Sequence, residues 1–182
     1  MSRVVVYKIL PDGDAIEHGE ARNAMAGALW IWNTLAKERG LSLDLLRFEP
    51  LWELFCTDRL SRDQSIVLGF TFDGVWIRRE NLPRVVAPLR AFWRANVSTR
   101  VGASQISPTI PVICDLLESA AALDIRGVCF NQTSVNANPW WIAPEDDEEG
   151  RPFNFDRDTQ NSHGTAPWEL FSKIDPAYGQ AP

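Results

Sequence analysis

Histidine and cysteine are scarce in this sequence, and their scarcity excludes several kinds of functional site. With two histidines in 182 residues, a histidine-rich metal centre cannot form. The three cysteines, Cys56, Cys114 and Cys129, are widely spaced among apolar neighbours. We therefore expect buried thiols and no disulfide framework. A domain of this length buries roughly 70% of its unfolded surface and needs no covalent or metal staple.

Long hydrophobic runs and a secretion signal are also missing. No apolar run approaches the roughly 20 residues of a membrane-spanning helix. The first ten residues, MSRVVVYKIL, contain a short apolar run but lack the cleavage site of a signal peptide. A hydrophobic content of 45% and a charged content of 23% are typical of soluble globular proteins. We expect a cytoplasmic protein with no membrane partner.

Sequence motifs for catalysis and cofactor binding are absent as well. There is no G-x-S-x-G and no G-x-x-x-x-G-K-[ST], and no cysteine pair follows the H-x-E at residues 18–20 as in a zinc deaminase. Ser162 precedes His163, but adjacency in sequence does not place two side chains as a catalytic pair. We expect no catalytic residue, no metal ion and no cofactor.

The spacing of apolar residues predicts the secondary structure. Strands are predicted at residues 3–10, 65–72, 75–77 and 125–130, and helices at 14–39, from 50 onward, at 81–95 and at 107–123. Asp14 with Glu17 indicates a capping box for the first helix. Asp73 and Gly74 favour a tight hairpin turn between the second and third strands. Pro88 predicts a kink or a late start in its helix.

This order of elements predicts the fold class. We expect a single globular α+β (or α/β) domain over residues 1–174. Its mixed sheet should have about four to five strands, including a hairpin, with helices packed on at least one face. Residues 175–182 are expected to form a frayed C-terminal tail.

From residue 131 onward the sequence becomes polar and then acidic. Trp140 and Trp141 precede five consecutive acidic residues at 145–149. A solvated loop is the simple interpretation of the acids, and an acidic docking surface is the functional one. Burial of both indoles is the expectation, whereas exposure of one beside the carboxylates would be typical of a binding hot spot. The predicted partner-binding residues are Trp140, Trp141, Glu145, Asp146, Asp147, Glu148, Glu149, Asp156 and Asp158.

These observations favour a non-enzymatic binding protein that neutralises a protein partner. The net charge of −6 disfavours direct contact with nucleic acid and favours a basic protein, such as a toxin or a nucleic-acid-binding protein. In general character the chain is similar to bacterial toxin-immunity proteins and phage-encoded inhibitors, which are compact, acidic and free of cofactor motifs. No stretch carries this likeness residue by residue.

Two other functional classes stay open at this point. A small hydrolase or transferase would use a carboxylate site drawn from Glu20, Asp156, Asp158 and His163, and these groups would have to converge in a cleft. A structural or assembly subunit would need a large exposed aromatic patch. The sequence does not fix the oligomeric state or the identity of the partner.

Overall fold

A mixed five-stranded sheet forms the frame of the molecule. The computed structural model describes residues 3–22, 24–41, 49–57, 59–97, 109–132, 137–145 and 148–175. The strands are β1 (Arg3–Ile9), β2 (Ala15–Arg22), β3 (Val75–Arg78), β4 (Gly127–Asn131), β5 (Trp141–Ile142), β6 (Arg151–Pro152) and β7 (Trp168–Glu169). The sheet order is β2-β1-β4-β3-β7, and only the β3–β7 pair is parallel. The antiparallel strands β5 and β6 form a separate ribbon.

Six α-helices in the described residues accompany the sheet. They are α1 (Ala24–Glu38), α2 (Glu49–Phe55), α3 (Arg62–Gly69), α4 (Leu82–Asn96), α5 (Thr109–Ala121) and α6 (Leu170–Ile174), with a 3-10 turn (Arg79–Asn81) before α4. One face of the sheet meets helical side chains such as Leu35, Leu89 and Leu117 in the main hydrophobic core. The predicted α+β class, with helices on at least one face of a mixed sheet, is confirmed. None of these helices has the length and apolar character needed to cross a membrane.

The opposite face of the sheet is covered by the C-terminal segment. We call residues 137–145 and 148–163 the strap. Its Trp140 and Phe153 are fully buried against Val5, Tyr7 and Cys129 of the sheet. The Trp140 indole Nε1 donates a hydrogen bond of 2.6 Å to a backbone carbonyl of β4, and its ring meets the Phe153 ring edge-on at 5.6 Å. The strap therefore supplies a second, aromatic core.

The segment after the first turn is a strand, so the predicted start of the first helix at Asp14 is wrong. Gly13 adopts φ 92°, a conformation that favours glycine, and it helps to turn the chain back along β1. β2 then pairs with the whole of β1. Asp14 caps no helix, and its Oδ1 accepts a hydrogen bond from Asn154 Nδ2 at 2.7 Å. Strand pairing has prevailed over the local capping pattern, and α1 begins only at Ala24.

The strand predicted at residues 65–72 is also wrong, because α3 occupies most of this segment. Ser61 is the N-cap of α3: its hydroxyl accepts from the Gln64 backbone N–H at 3.3 Å, and the Gln64 side chain accepts from the Ser61 N–H at 3.1 Å. This S-x-x-Q capping box is the signal that outweighs the β-branched run after it. The predicted hairpin does not form, and β3 pairs with β4 and β7 instead.

The other predicted elements are present in the described residues. β1, β3, β4, α2, α4 and α5 lie close to their predicted positions. α4 starts at Leu82 and continues through Pro88, so its start is not delayed. The predicted start of α5 at residues 107–108 and the tail at 176–182 lie outside the described residues.

The burial of Trp140 yields a stability prediction with a matched control. Replacing Trp140 with alanine should lower the free energy of unfolding by about 3–5 kcal/mol, since a fully buried indole leaves a cavity. Trp141→Ala, at a position that is 43% exposed, should cost about 1 kcal/mol or less. Urea denaturation of both variants measures the difference. Equal losses would contradict the packing described for the strap.

Candidate functional site

The β5–β6 ribbon presents the acidic residues at the surface. Its strands pair Trp141 with Pro152 and Ile142 with Arg151, and the described residues 143–145 and 148–150 lie in the loop between them. Glu145, Glu148 and Glu149 are exposed. The Glu148 N–H donates to the Glu145 carbonyl at 2.9 Å, which turns the backbone at this point. The predicted site residues Asp146 and Asp147 lie outside the described residues.

The two adjacent tryptophans have opposite environments, so the expectation that both are buried is wrong. Trp140 is 0% exposed and belongs to the aromatic core, whereas Trp141 is 43% exposed. Trp140 lies in the turn that precedes β5 and donates its indole N–H to β4, whereas Trp141 is the first residue of β5. Trp141 lies against Gly150, where an added Cβ would collide with the indole. Of the predicted pair, only Trp141 is placed to contact a partner.

Asp158 is an internal ion-pair residue. Its carboxylate accepts from both guanidinium NH groups of Arg151, at 2.7 and 2.8 Å, and from the Asn154 backbone N–H at 2.8 Å. Its side chain is 12% exposed. The hydrogen bonds from Arg151 hold the pKa of Asp158 below its usual value. The charge of Asp158 is therefore compensated within the protein.

Asp156 is also paired. Both of its carboxylate oxygens lie within 2.7 Å of Arg126 NH1, although half of the side chain is exposed. The nearby Asn154 side chain donates to the Asp12 carbonyl at 2.9 Å and accepts from two backbone N–H groups of its own turn. Asn154 thus attaches the strap to the first hairpin, and Asp156 attaches it to Arg126 before β4, whereas Asp158 pairs within the strap. The sequence signal for this network is an Asx turn in N-F-D-R-D.

The first hairpin contributes acidic residues that the sequence did not identify as part of the site. Hydrogen bonding to Asp158 raises the pKa of Arg151, and the nearby charges of Asp14 and Glu148 raise it further. The Asn154 side chain donates to the Asp12 carbonyl at 2.9 Å and to Asp14 Oδ1 at 2.7 Å, which places the turn before β2 against the strap that carries the acidic loop. We call Asp12, Asp14, Glu145, Glu148 and Glu149 the acidic surface. Asp14 was missed because its spacing to Glu17 mimics a helix cap.

The groups proposed for a carboxylate-based enzyme each have a different environment. Glu20 pairs with Arg3 at 2.8 Å, Asp156 pairs with Arg126, and Asp158 pairs with Arg151. His163 is exposed, and its backbone N–H donates to the Asn161 side chain at 3.0 Å. No described contact joins any two of these four groups.

Three surface grooves in the described part of the chain lie away from these four residues. A groove of about 530 Å³ is lined by α4 and by Glu118 and Ala121 of α5. Two others, of about 400 Å³ each, both include Arg62. None of the three is lined by Glu20, Asp156, Asp158 or His163. Within the described residues, no group of three or more His, Cys, Asp or Glu side chains is placed to hold a metal ion.

The cysteines divide into two buried and one exposed. Cys114 and Cys129 are buried as expected, and burial raises the pKa of the Cys114 thiol to about 11. Cys56 is exposed, so the expectation of three buried thiols is wrong for this residue. It directly follows the last residue of α2, where the helix no longer directs its side chain into the core.

One aromatic cluster reaches the surface away from the acidic loop. Trp52 is 39% exposed, and its ring lies 5.2 Å from Phe72 and 5.8 Å from Trp168. These rings pack on one another, and Phe72 and Trp168 are only half-exposed. Of the three rings, only that of Trp52 is exposed.

Comparison of the chain with protein-family models, curated proteins and solved structures found no match. The acidic surface and Trp141 are therefore the basis for a functional assignment.

The Asp158 ion pair makes a prediction about pH. Because its folded-state pKa is lowered, its ionised form stabilises the fold above the unfolded value of 3.8, and this stabilisation is lost as pH falls through the folded pKa. Asp158→Asn should therefore cost about 1.5–3 kcal/mol at pH 7, and the cost should shrink below pH 3.8. Urea unfolding at several pH values measures this.

Asp156→Asn is the matched control for this prediction. Its half-exposed pair with Arg126 should contribute about 1 kcal/mol or less at pH 7. A pH-independent cost of Asp158→Asn would show that the loss comes from packing and not from charge.

Proposed function

We propose that this is a non-catalytic binding protein that captures a basic protein partner through the acidic surface, with Trp141 as the anchor. The observation that carries the proposal is the 43% exposed Trp141 indole, which lies against Gly150 at the end of the loop that holds the exposed Glu145, Glu148 and Glu149. Among the described residues, no ion pair neutralises these three glutamates. Their charge is therefore free to act on a partner.

The distribution of ion pairs supports this assignment. Asp156 pairs with Arg126, which precedes β4, and Asp158 pairs with Arg151 inside the strap, so both charges are compensated within the protein. The loop glutamates, in contrast, contribute to the net charge of −6 at the surface. A patch of one sign accelerates encounter with an oppositely charged protein, and this effect falls with ionic strength. Asp156 and Asp158 accordingly act as supports for the site.

Trp141 supplies the short-range part of the interaction. A large ring that is half-exposed and fixed against Gly150 loses little conformational entropy on binding. A lysine or arginine of the partner can stack on the indole face while its charge meets the neighbouring carboxylates. The surrounding polar loop then excludes water from this contact.

Inhibition is the activity that such a surface fits best. Carboxylates on an exposed loop resemble the phosphates that a basic nuclease or nucleic-acid-binding protein recognises, so the complex would block that surface sterically and electrostatically. We therefore propose a cytoplasmic inhibitor of the toxin-immunity or phage-inhibitor kind. The carboxylate-site hydrolase or transferase is less favoured, since Glu20, Asp156, Asp158 and His163 do not converge.

The proposal predicts how variants change the affinity for the partner. Affinity capture from the native host should yield a stoichiometric basic protein. Trp141→Ala should weaken its binding by about 2 kcal/mol or more, as expected for a hot spot. Glu145→Lys/Glu148→Lys/Glu149→Lys should slow association by about tenfold or more and reduce its salt dependence. Biolayer interferometry with the purified partner measures both effects.

Two controls separate the site from general surface effects. Trp52→Ala removes an indole of similar exposure elsewhere, and Asp124→Lys reverses a charge whose side chain is 98% exposed. Neither should change the affinity. If the triple charge reversal leaves both affinity and salt dependence unchanged, the electrostatic proposal is wrong.

A further inference from the structure

We infer that the outer edge of β2 receives an extended, basic segment of the partner as an added antiparallel strand. This inference rests on the proposed function, because it names how part of the basic partner is held. It concerns residues 16–21, which continue from Asp14 of the acidic surface along the sheet edge.

β2 forms one edge of the sheet and is unusually long for an edge strand. β2 has eight residues, more than any other strand described here, yet it lies at the end of the sheet order. Native proteins usually keep edge strands short or cover them, because unpaired N–H and C=O groups recruit another strand. Within the described residues, only β1 makes backbone hydrogen bonds to residues 16–21.

The same edge already accepts a strand at its beginning. Residues 153–155 of the strap run antiparallel to residues 13–15, with an isolated bridge between Asp14 and Asn154. Ala15 N–H donates to the Phe153 carbonyl at 2.8 Å, and Phe155 N–H donates to the Gly13 carbonyl at 2.9 Å. The strap then leaves the edge to pair β6 with β5. The edge therefore has the geometry needed for an added strand. Within the described chain, only residues 13–15 of this edge are paired in that way.

A β-bulge determines which charged side chains of β2 lie on the same face of the sheet. The register passes from Val6 opposite Gly19 to Tyr7 opposite Glu17, so one extra residue, His18, is accommodated in β2. As a result Glu17 and Glu20 are the cross-strand neighbours of Tyr7 and Val5, which point to the strap side of the sheet. Both carboxylates lie on one face of the edge strand, where Glu17 is exposed and Glu20, which is 43% exposed, also pairs with Arg3 of β1 at 2.8 Å.

The other face of the edge is bounded by a helix. His18 Nε2 lies 2.8 Å from Ser119 Oγ of α5, and Leu116 of α5 lies against Gly19. An added strand would place small or apolar side chains under α5 and basic side chains opposite Glu17 and Glu20. This alternation is the β-addition mode of peptide recognition, in which main-chain bonds give affinity and alternate side chains give specificity.

The charges on β2 also disfavour a second copy of this chain as the strand that pairs with this edge. If two copies paired their β2 edges antiparallel, they would be related by a two-fold axis normal to the sheet. The strap-covered faces of both sheets would then lie on the same side. This pairing would bring Glu17 and Glu20 of both copies onto that side, and like charges on paired strands destabilise a sheet. A basic strand meets the same carboxylates with opposite charge.

The test uses the full chain and a fluorescently labelled eight-residue peptide, KTKVKTKV, as the probe. Binding should slow amide hydrogen exchange in residues 16–21. Two further peptides carry N-methyl groups on either the odd or the even residues, so each lacks the N–H groups of one strand edge. One of them should bind like the parent, and the other should lose at least about tenfold in affinity, because several main-chain hydrogen bonds are lost together.

Protein variants complete the test. Glu17→Gln/Glu20→Gln should weaken peptide binding by at least about threefold, whereas the control Glu53→Gln should not. No binding at millimolar peptide, or equal binding of both N-methylated peptides, overturns the inference. So does a dimer in sedimentation equilibrium that protects the same amides, since a second copy would then occupy the edge. Loss of partner capture on reversing Glu145, Glu148 and Glu149 tests the proposed function separately.

Discussion

The rest of the structure depends on covering the second face of the central sheet. Val5, Tyr7 and Cys129 point away from the helices, and an uncovered apolar face would be costly in water. The strap meets this need with Trp140 and Phe153, and burial raises the pKa of Tyr7 to about 12. Because the strap must cross this face, its ribbon and acidic loop come to lie beside the first hairpin. The position of the candidate site is a consequence of packing.

The ion pairs of the strap explain why only part of its acidic sequence is available to a partner. An ionised carboxylate near the core must be compensated, and Asp158 is held by Arg151 and by the Asn154 N–H. The carboxylates of Glu145, Glu148 and Glu149 lie in a loop beyond the ribbon, where water solvates them and no such pairing is required. A single acidic segment thus divides into supporting residues and a charged surface.

The sequence predicted the elements whose signals are local and consistent, and it failed where long-range pairing decides. α4 and α5 follow from their apolar stripes, and β4 from a continuous buried run. β2 was mistaken for a helix because Asp14 and Glu17 imitate a cap, while its pairing with β1 depends on the bulge and the turn at Gly13. The exposed acidic loop follows from composition, whereas the exposure of Trp141 contradicts the expectation that both indoles are buried. The contribution of Asp14 does not follow from composition, since it requires the strap and the hairpin to meet.

Catalysis and binding make different demands on ionisable groups, and this difference guides the functional argument. A catalytic site gathers groups with displaced pKa values in a cleft that substrate can enter. Here the displaced values of Tyr7, Cys129 and Asp158 have structural causes, namely burial in the aromatic core or pairing with Arg151. The exposed carboxylates of Glu145, Glu148 and Glu149 lie in the loop after β5, and those of Glu17 and Glu20 lie on a sheet edge. An exposed acidic surface of this kind is consistent with the proposed binding of a basic protein partner.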